Sequence, residues 1–243
     1  MKKKKELILW AIAWLINIKS IFLDYCADSG YTFAMAQRLL DGDRLFQEMW
    51  EPHQTSVFIM APILKLFEMV FQTRTGVVVF AHMVMTLSFF VLSVFLTRTL
   101  AKFTEKNVAT PAGLLLFVLR PKMVQLPDYS NLCIFFSVLT FLLLIRYLLL
   151  KPRMGLLIAS ALALCLTVLA YPSCLLLWAP SILVIFLYSK KKWRDALVFT
   201  GTCGVTGALF AGYFIIRLGF GPWLQTLSKI VHADTHSLER TYS

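Results

Sequence analysis

Two apolar runs decide what this chain can fold into. Residues 7–23, LILWAIAWLINIKSIFL, and residues 76–96, GVVVFAHMVMTLSFFVLSVFL, each approach the roughly 20 apolar residues that a bilayer core demands. Lipid offers no water to backbone N–H and C=O groups, so such runs satisfy themselves as helices. Strand-type alternation is absent, which argues against an outer-membrane barrel. The chain is 58% hydrophobic, against about 45–50% apolar in a soluble domain, and the excess lies in long runs rather than in an amphipathic period. The start, MKKKKELILW, has the basic-then-apolar order of a secretory signal. No small-x-small cleavage site is well placed after it and the apolar run is long, so it reads as a retained first helix.

The spacing predicts helices at about 7–23, 76–97, 108–120, 131–150, 154–170, 174–189 and 196–217. If the first runs from inside to outside, the inner segments are MKKKKE, RTLAKFTEKN, RYLLLKPR and SKKKWRD, which hold 14 of the 24 Lys and Arg residues and, of the acids, only Glu6, Glu105 and Asp195. The formal net charge of +11 is then sorted wholly to one side, as the positive-inside rule requires. In a soluble protein such a charge can point to nucleic acid; charge sorted by membrane side excludes that partner here. The fold class is therefore all-α: a multi-pass integral membrane bundle of about seven transmembrane helices, forming a single domain over 1–243. It sits in the plasma (cell) membrane with its N-terminus cytoplasmic.

The third segment, VATPAGLLLFVL, is short and ends at Arg120-Pro121-Lys122. A short helix at membrane depth often lines a cavity in the protein. The first outer loop, about 24–75, is too long for a simple connection. It reads as two juxtamembrane helices, one in SGYTFAMAQRLLDG with Gly42 as its stop, the other in TSVFIMAPILKLFEMVF. The latter is apolar but carries Pro62, Lys65 and Glu68, which suits a helix lying in the interface or dipping into it; a true span there would invert everything after it. A second outer region from about 218 contains a short amphipathic piece and reads as a loop cut short, so a fragment is expected.

Soluble-enzyme signatures are missing: there is no Gly-rich phosphate loop, no G-x-S-x-G, no H-E-x-x-H and no Cys-His metal spacing. Chemistry must come from polar residues of the outer loops. Asp28, just past the first helix, can accept a proton from an acceptor hydroxyl or bind a cation; equally, Asp28 or Ser29 can cap the first surface helix, and Asp24 competes for the same role. EMWEPHQTS places Glu48, Glu51, His53, Gln54, Thr55 and Ser56 beside Trp50, a set of sugar-compatible hydrogen-bonding groups with a stacking face; an ordinary polar loop with an interfacial Trp is the plainer reading. Arg120 and Lys122 at a broken helix end, joined by Lys65, can hold a lipid phosphate or pyrophosphate, or simply snorkel to headgroups. Arg217 and Lys229 are weaker versions of the same idea. Asp128, in PDYSN, reads as a helix N-cap. The five cysteines, at 26, 133, 165, 174 and 203, show no metal or redox spacing and read as small apolar packing residues. Cys26 and Cys174 both fall near the outer face, where a disulfide would be sterically open to them, without positive support in the spacing.

Asp28-Ser29-Gly30-Tyr31, followed by AMAQRLLDGDRLFQEMWEPHQTS and an apolar surface helix, resembles the first outer loop of the GT-C superfamily. These are membrane glycosyltransferases that use polyprenyl-phosphate sugars, among them protein mannosyltransferases and lipid A aminoarabinose transferases. The family pattern is an acid near a small residue and a Tyr, then a helix, a Gly-Asp turn and a Pro-containing stretch. Ser29 stands where the family often has a second acid, and Pro52-His53 where it often has Pro-Pro. The resemblance implies a module of about seven helices with two juxtamembrane helices, with Asp28 as the catalytic acid-base residue. It implies Tyr31, Glu51, His53, Gln54, Lys65, Arg120 and Lys122 as substrate-binding residues, the cations among them on the donor phosphate.

The expected activity is transfer of a sugar from a polyprenyl-phosphate donor to an acceptor at the outer face. Partners are that lipid-linked donor and membrane lipids. No metal ligands and no cofactor are assigned, although the chemistry leaves room for a divalent cation. Two rivals stand beside it. A transporter or flippase of a lipid-linked saccharide predicts ionisable residues deep inside helices, where charge is sparse. A non-catalytic truncated membrane fragment predicts that the acidic loop is replaceable.

Overall fold

A computed structural model of the chain describes residues 2–22, 27–49, 51–119 and 125–239, with side chains at all of these except 2, 3, 27, 28 and 230–239. Helix makes up 84% of it. There is no strand among the described residues beyond an isolated bridge between Leu45 and Met49, so the all-helical class stands. The helices are α1 (Lys2–Ile21), α2 (Ala27–Asp41), α3 (Val57–Phe71), α4 (Val77–Leu100), α5 (Lys106–Val118), α6 (Tyr129–Ile145), α7 (Met154–Ala170), α8 (Trp178–Tyr188), α9 (Lys192–Leu218) and α10 (Phe220–Glu239). A π turn over Arg146–Leu150 extends α6, and 3-10 turns precede α3 (Gln54–Ser56) and α8 (Pro172–Leu177).

Among the described residues, four helical stretches are long and apolar enough to cross a membrane: Gln54–Phe71, α4, Tyr129–Leu150 and α9. The apolar helices are those of a membrane protein. The expected count of about seven spans goes beyond what the lengths by themselves establish. The apolar helices α5 and α7 and the stretch Pro172–Tyr188 are shorter, and α1 has the length but carries Lys4, Lys5, Glu6 and Lys19. Conversely, the stretch expected to lie in the interface, which contains α3, is an uninterrupted apolar helix of spanning length, despite Pro62. The expected short amphipathic piece after 218 is a helix of 20 residues, α10.

Side-chain contacts give the helix directions. Thr110 Oγ1 donates to Glu6 Oε1 (3.5 Å) and Asn17 Nδ2 to the Phe117 carbonyl (3.3 Å), so α1 and α5 run parallel. Arg146 donates to Thr99 Oγ1 (3.2 Å) and lies 4.9 Å from the centre of the Phe95 ring, so α4 and α6 finish together. The Tyr147 hydroxyl reaches Asp195 at 2.7 Å, joining the end of α6 to the start of α9. The four basic segments therefore meet at one end of the bundle, the basic end. α2, the start of α3 and the start of α6 lie at the opposite, loop end.

Three apolar clusters hold the bundle. At the loop end, Met35 and Ala36 of α2 pack with Met60, Leu64 and Phe67 of α3, and with Val77, Ala81, Leu126 and Phe214. In the middle, Ala13, Met85, Phe89, Phe117 and Leu132 join α1, α4, α5 and α6, beside Trp10 and Trp14, which pack on Phe90 and Phe117. Toward the basic end, Leu144, Leu157, Leu164, Ile185 and Phe199 join α6 to α9. Gly113 is where α5 presses on α4. A Cβ there would overlap Thr97 Oγ1 and come within 2.7 Å of the Ser93 carbonyl oxygen. Asp195, 2% exposed, organises the basic end. It accepts from Ser189 Oγ (2.5 Å), Tyr147 Oη (2.7 Å) and Arg194 Nε and Nη2 (2.9 and 2.8 Å).

Candidate functional site

The loop end brings three separated pieces of sequence onto the start of α6. The first is α2. Ser29, in its first turn, is fully buried, and its hydroxyl donates to Asp128 Oδ2 at 2.5 Å. Asp128 is the N-cap of α6, accepting from the Asn131 backbone N–H at 2.8 Å, as the PDYSN pattern predicts. One buried carboxylate thus starts α6 and anchors α2. Asp28 is the residue preceding Ser29 on α2; its side chain is outside the described ones. Tyr31, half-exposed, follows two residues on.

The second piece is the EPHQTS segment. His53 Nδ1 lies 2.8 Å from Glu51 Oε1, and the His53 backbone N–H donates to Glu51 Oε2 at 2.6 Å. The two side chains are 16% and 19% exposed, so water screens this pair less than a surface pair. A carboxylate oxygen only accepts, so Nδ1 is the nitrogen that donates, which makes Nε2 the acceptor of the neutral ring. The imidazole stacks parallel on Tyr129 (4.3 Å, 12°) and meets Tyr171 at a tilt (4.4 Å, 33°), and the two tyrosines touch each other at 5.9 Å, so the three rings form one cluster. Thr55 Oγ1 donates to the Leu169 carbonyl at 2.5 Å, fastening the segment to the end of α7. Gln54 is buried with its amide engaged by the loop itself. Oε1 accepts from the Phe46 N–H and Nε2 donates to the Glu51 carbonyl, both at 2.9 Å. That bond holds Phe46 in its left-handed conformation (φ 67°).

The third piece is the turn after α2. Arg38 pairs with Asp43 (2.5 Å), Arg44 with Glu48 (2.8 Å), and Arg74 with both Asp41 (2.5 Å) and Glu68 (3.1 Å). Each pair is largely exposed and contributes little alone, but as a network they set the register between the ends of α2 and α3. The Arg74 guanidinium holds the Asp41 carboxyl below its ordinary value, and hydrogen bonds from Arg44 do the same for Glu48.

Lys65 does not join the His53 slot. It lies ten residues past Thr55, about 15 Å along the helix. There it lines a polar cavity of about 470 Å³ with Glu68, Gln72, Thr73 and Arg74. Arg120 and Lys122 lie outside the described residues. Among the described residues, no three His, Cys, Asp or Glu side chains gather closely enough to hold a metal ion.

Sequence reasoning missed Tyr129, Tyr171 and Gln125. Gln125 is fully buried with neither amide atom hydrogen-bonded, a costly state that a ligand contact would relieve. A usable signal was that Tyr129 and Tyr171 each adjoin a proline-marked break between apolar runs. What the site offers chemically is a His-carboxylate pair against two tyrosine rings, at the start of the helix to which the first turn of α2 is anchored. Compared with protein-family models, with curated proteins and with solved structures, the chain gives no match.

Proposed function

We propose that this chain is a GT-C-like membrane glycosyltransferase, or the N-terminal module of one, moving a sugar from a polyprenyl-phosphate donor to an acceptor at the outer face of the plasma membrane. It crosses the membrane seven times with its N-terminus in the cytoplasm, and α2 and α3 lie along the outer surface. Two observations support that disposition. The basic segments converge on one end, as the positive-inside rule asks of a cytoplasmic face. And α3, although long enough to span, packs with α2 as well as with the first half of α4, as one of a pair of juxtamembrane helices does.

The observation that carries the reading is the convergence on α6. The Ser29–Asp128 bond and the His53–Tyr129 stack bring the DSGY and EPHQTS segments of the resemblance to one place. In this reading Asp28 takes the proton of the acceptor hydroxyl, whose oxygen attacks the anomeric carbon as the bond to the lipid phosphate breaks. Arg120 and Lys122 hold the departing polyprenyl phosphate. Tyr31, Glu51 and His53 border the sugar, Tyr31 offering stacking surface, while Gln54 shapes the loop from within. A donor carried on a lipid explains why no nucleotide site is needed.

The test is Asp28→Asn in the complete reading frame, assayed for sugar transfer in membranes. Transfer is expected to disappear while the protein stays folded; unchanged transfer overturns the role. In parallel, lipids co-purifying with the gently solubilised protein are compared with those of Arg120→Ala/Lys122→Ala. An enriched polyprenyl-phosphate sugar, lost in the double variant, is the expected result. One observation favours a second reading, a flippase for a lipid-linked saccharide: His82, Thr86 and Ser93 are buried along α4, and polar groups at membrane depth often mark a transport path. His82→Phe would then abolish translocation, whereas it would spare transfer by an enzyme whose chemistry sits at the loop end.

A further inference from the structure

We propose that Cys133 and Cys174 form an intramolecular disulfide that clasps the His53 slot. Their sulfurs lie 3.2 Å apart, and both thiols are free. Cys133 is one turn into α6, on the helix that Tyr129 begins. Cys174 sits in the 3-10 turn after α7, where its backbone N–H donates to the Tyr171 carbonyl at 3.0 Å. The two cysteines are 41 residues apart in sequence, so only the packing of α6 against α7 and the turn that follows brings them together. Both are partly exposed, which lets an exchange partner reach them, and a thiol needs that access to react.

The oxidant is a disulfide of the glutathione class or of a dithiol protein. One cysteine thiolate attacks a sulfur of that reagent, forming a mixed disulfide and releasing one reagent thiol. The second cysteine thiolate then attacks the cysteine sulfur of the mixed disulfide. The Cys133–Cys174 bond forms and the other reagent thiol leaves. The two protons of the cysteine thiols end on the two released thiols, and the two electrons reduce the reagent. The clasp fixes Tyr129 relative to Tyr171, the two rings that cluster with His53. Closing a loop of this length restricts the unfolded chain, so the oxidised form melts higher than the reduced one. The proposal does not depend on the transferase reading, and its failure would leave that reading untouched.

The experiment uses the full chain with Cys26→Ser, Cys165→Ser and Cys203→Ser, reduced and then incubated with oxidised glutathione in mild detergent. The expected result is joint loss of both thiols toward a maleimide, a mass lower by two hydrogens, and one proteolytic product linking the peptides of Cys133 and Cys174. Adding Cys174→Ser should instead leave a stable glutathione adduct on Cys133. Lasting adducts on both cysteines, or two thiols that stay separately reactive, overturn the proposal. Should the triple variant fail to fold, peptide mapping of the oxidised parent decides. A Cys133–Cys174 link supports the clasp, and Cys174 linked to Cys26 or to any other cysteine refutes it.

Discussion

Replacing Asp128 with Ala tests the anchor on which the whole site stands. The side chain caps α6 through the Asn131 N–H and accepts the buried hydroxyl of Ser29 across 99 residues of sequence. Loss of an Asp N-cap costs about 1 kcal/mol. Loss of a buried hydrogen bond to a carboxylate costs about 1.5–3 kcal/mol, because the Ser29 hydroxyl is left without this acceptor. The variant is therefore expected to lose about 2.5–4 kcal/mol. Asp128→Asn keeps its one oxygen for the cap and turns an amide N–H toward Ser29, whose hydroxyl oxygen can accept it, and should lose only about 1 kcal/mol. The assay is reversible denaturation in detergent micelles, run as a double-mutant cycle with Ser29→Ala, whose coupling should reach about 1.5 kcal/mol or more. A coupling below about 0.5 kcal/mol, or equal losses for the Asn and Ala variants, would mean that Asp128 does not tie α2 to α6. Asp28 would then have no fixed place beside it.

Gly113→Ala should destabilise by about 1–3 kcal/mol through overpacking against Ser93 and Thr97, whereas Gly204→Ala, where nothing lies within 4 Å of the added carbon, should be neutral or stabilise by up to about 1 kcal/mol; equal effects in the same denaturation assay would refute the close crossing. Asp195→Ala should cost about 3–6 kcal/mol, about 1.5–3 kcal/mol for each of the Ser189 and Tyr147 hydroxyls left without this acceptor, far more than Tyr147→Phe at about 1 kcal/mol; the Arg194 pair is left out of that figure because its guanidinium is 48% exposed. Because the folded Asp41 and Glu48 carboxyls titrate below their ordinary values of 3.8 and 4.5, their contribution to holding the turn after α2 is complete above those values and is lost as the pH falls through the lower folded ones. Hydrogen exchange of residues 41–49 should accelerate across that acidic window, and no change there would show that the arginine pairs do not order the turn.

Much of the architecture was legible in the residues because its causes are local. An apolar run in lipid has no hydrogen-bonding partner but itself, so α7 falls on its predicted 154–170 and α4 within a few residues of its prediction. Asp128 announces an N-cap by its place before YSN, and the sorted lysines and arginines already describe the basic end. The helix lengths were less legible. Pro172 turns the start of the sixth segment into a 3-10 coil, and the α3 stretch is apolar enough to continue straight through Pro62.

The site itself came from packing. Ser29 meets Asp128, His53 meets Tyr129 and Tyr171, and Cys174 meets Cys133, the cysteine that the placement of residues near the outer face did not single out. Lys65 carries the charge expected of a phosphate ligand, yet the straight run of α3 takes it to a different cavity. The sequence by itself determined the helices and their charge asymmetry, since backbone hydrogen bonding and charge solvation act on each segment separately. Only the tertiary structure decided which polar side chains share a site, because contacts across tens of residues depend on how the helices cross, and no single segment encodes that crossing.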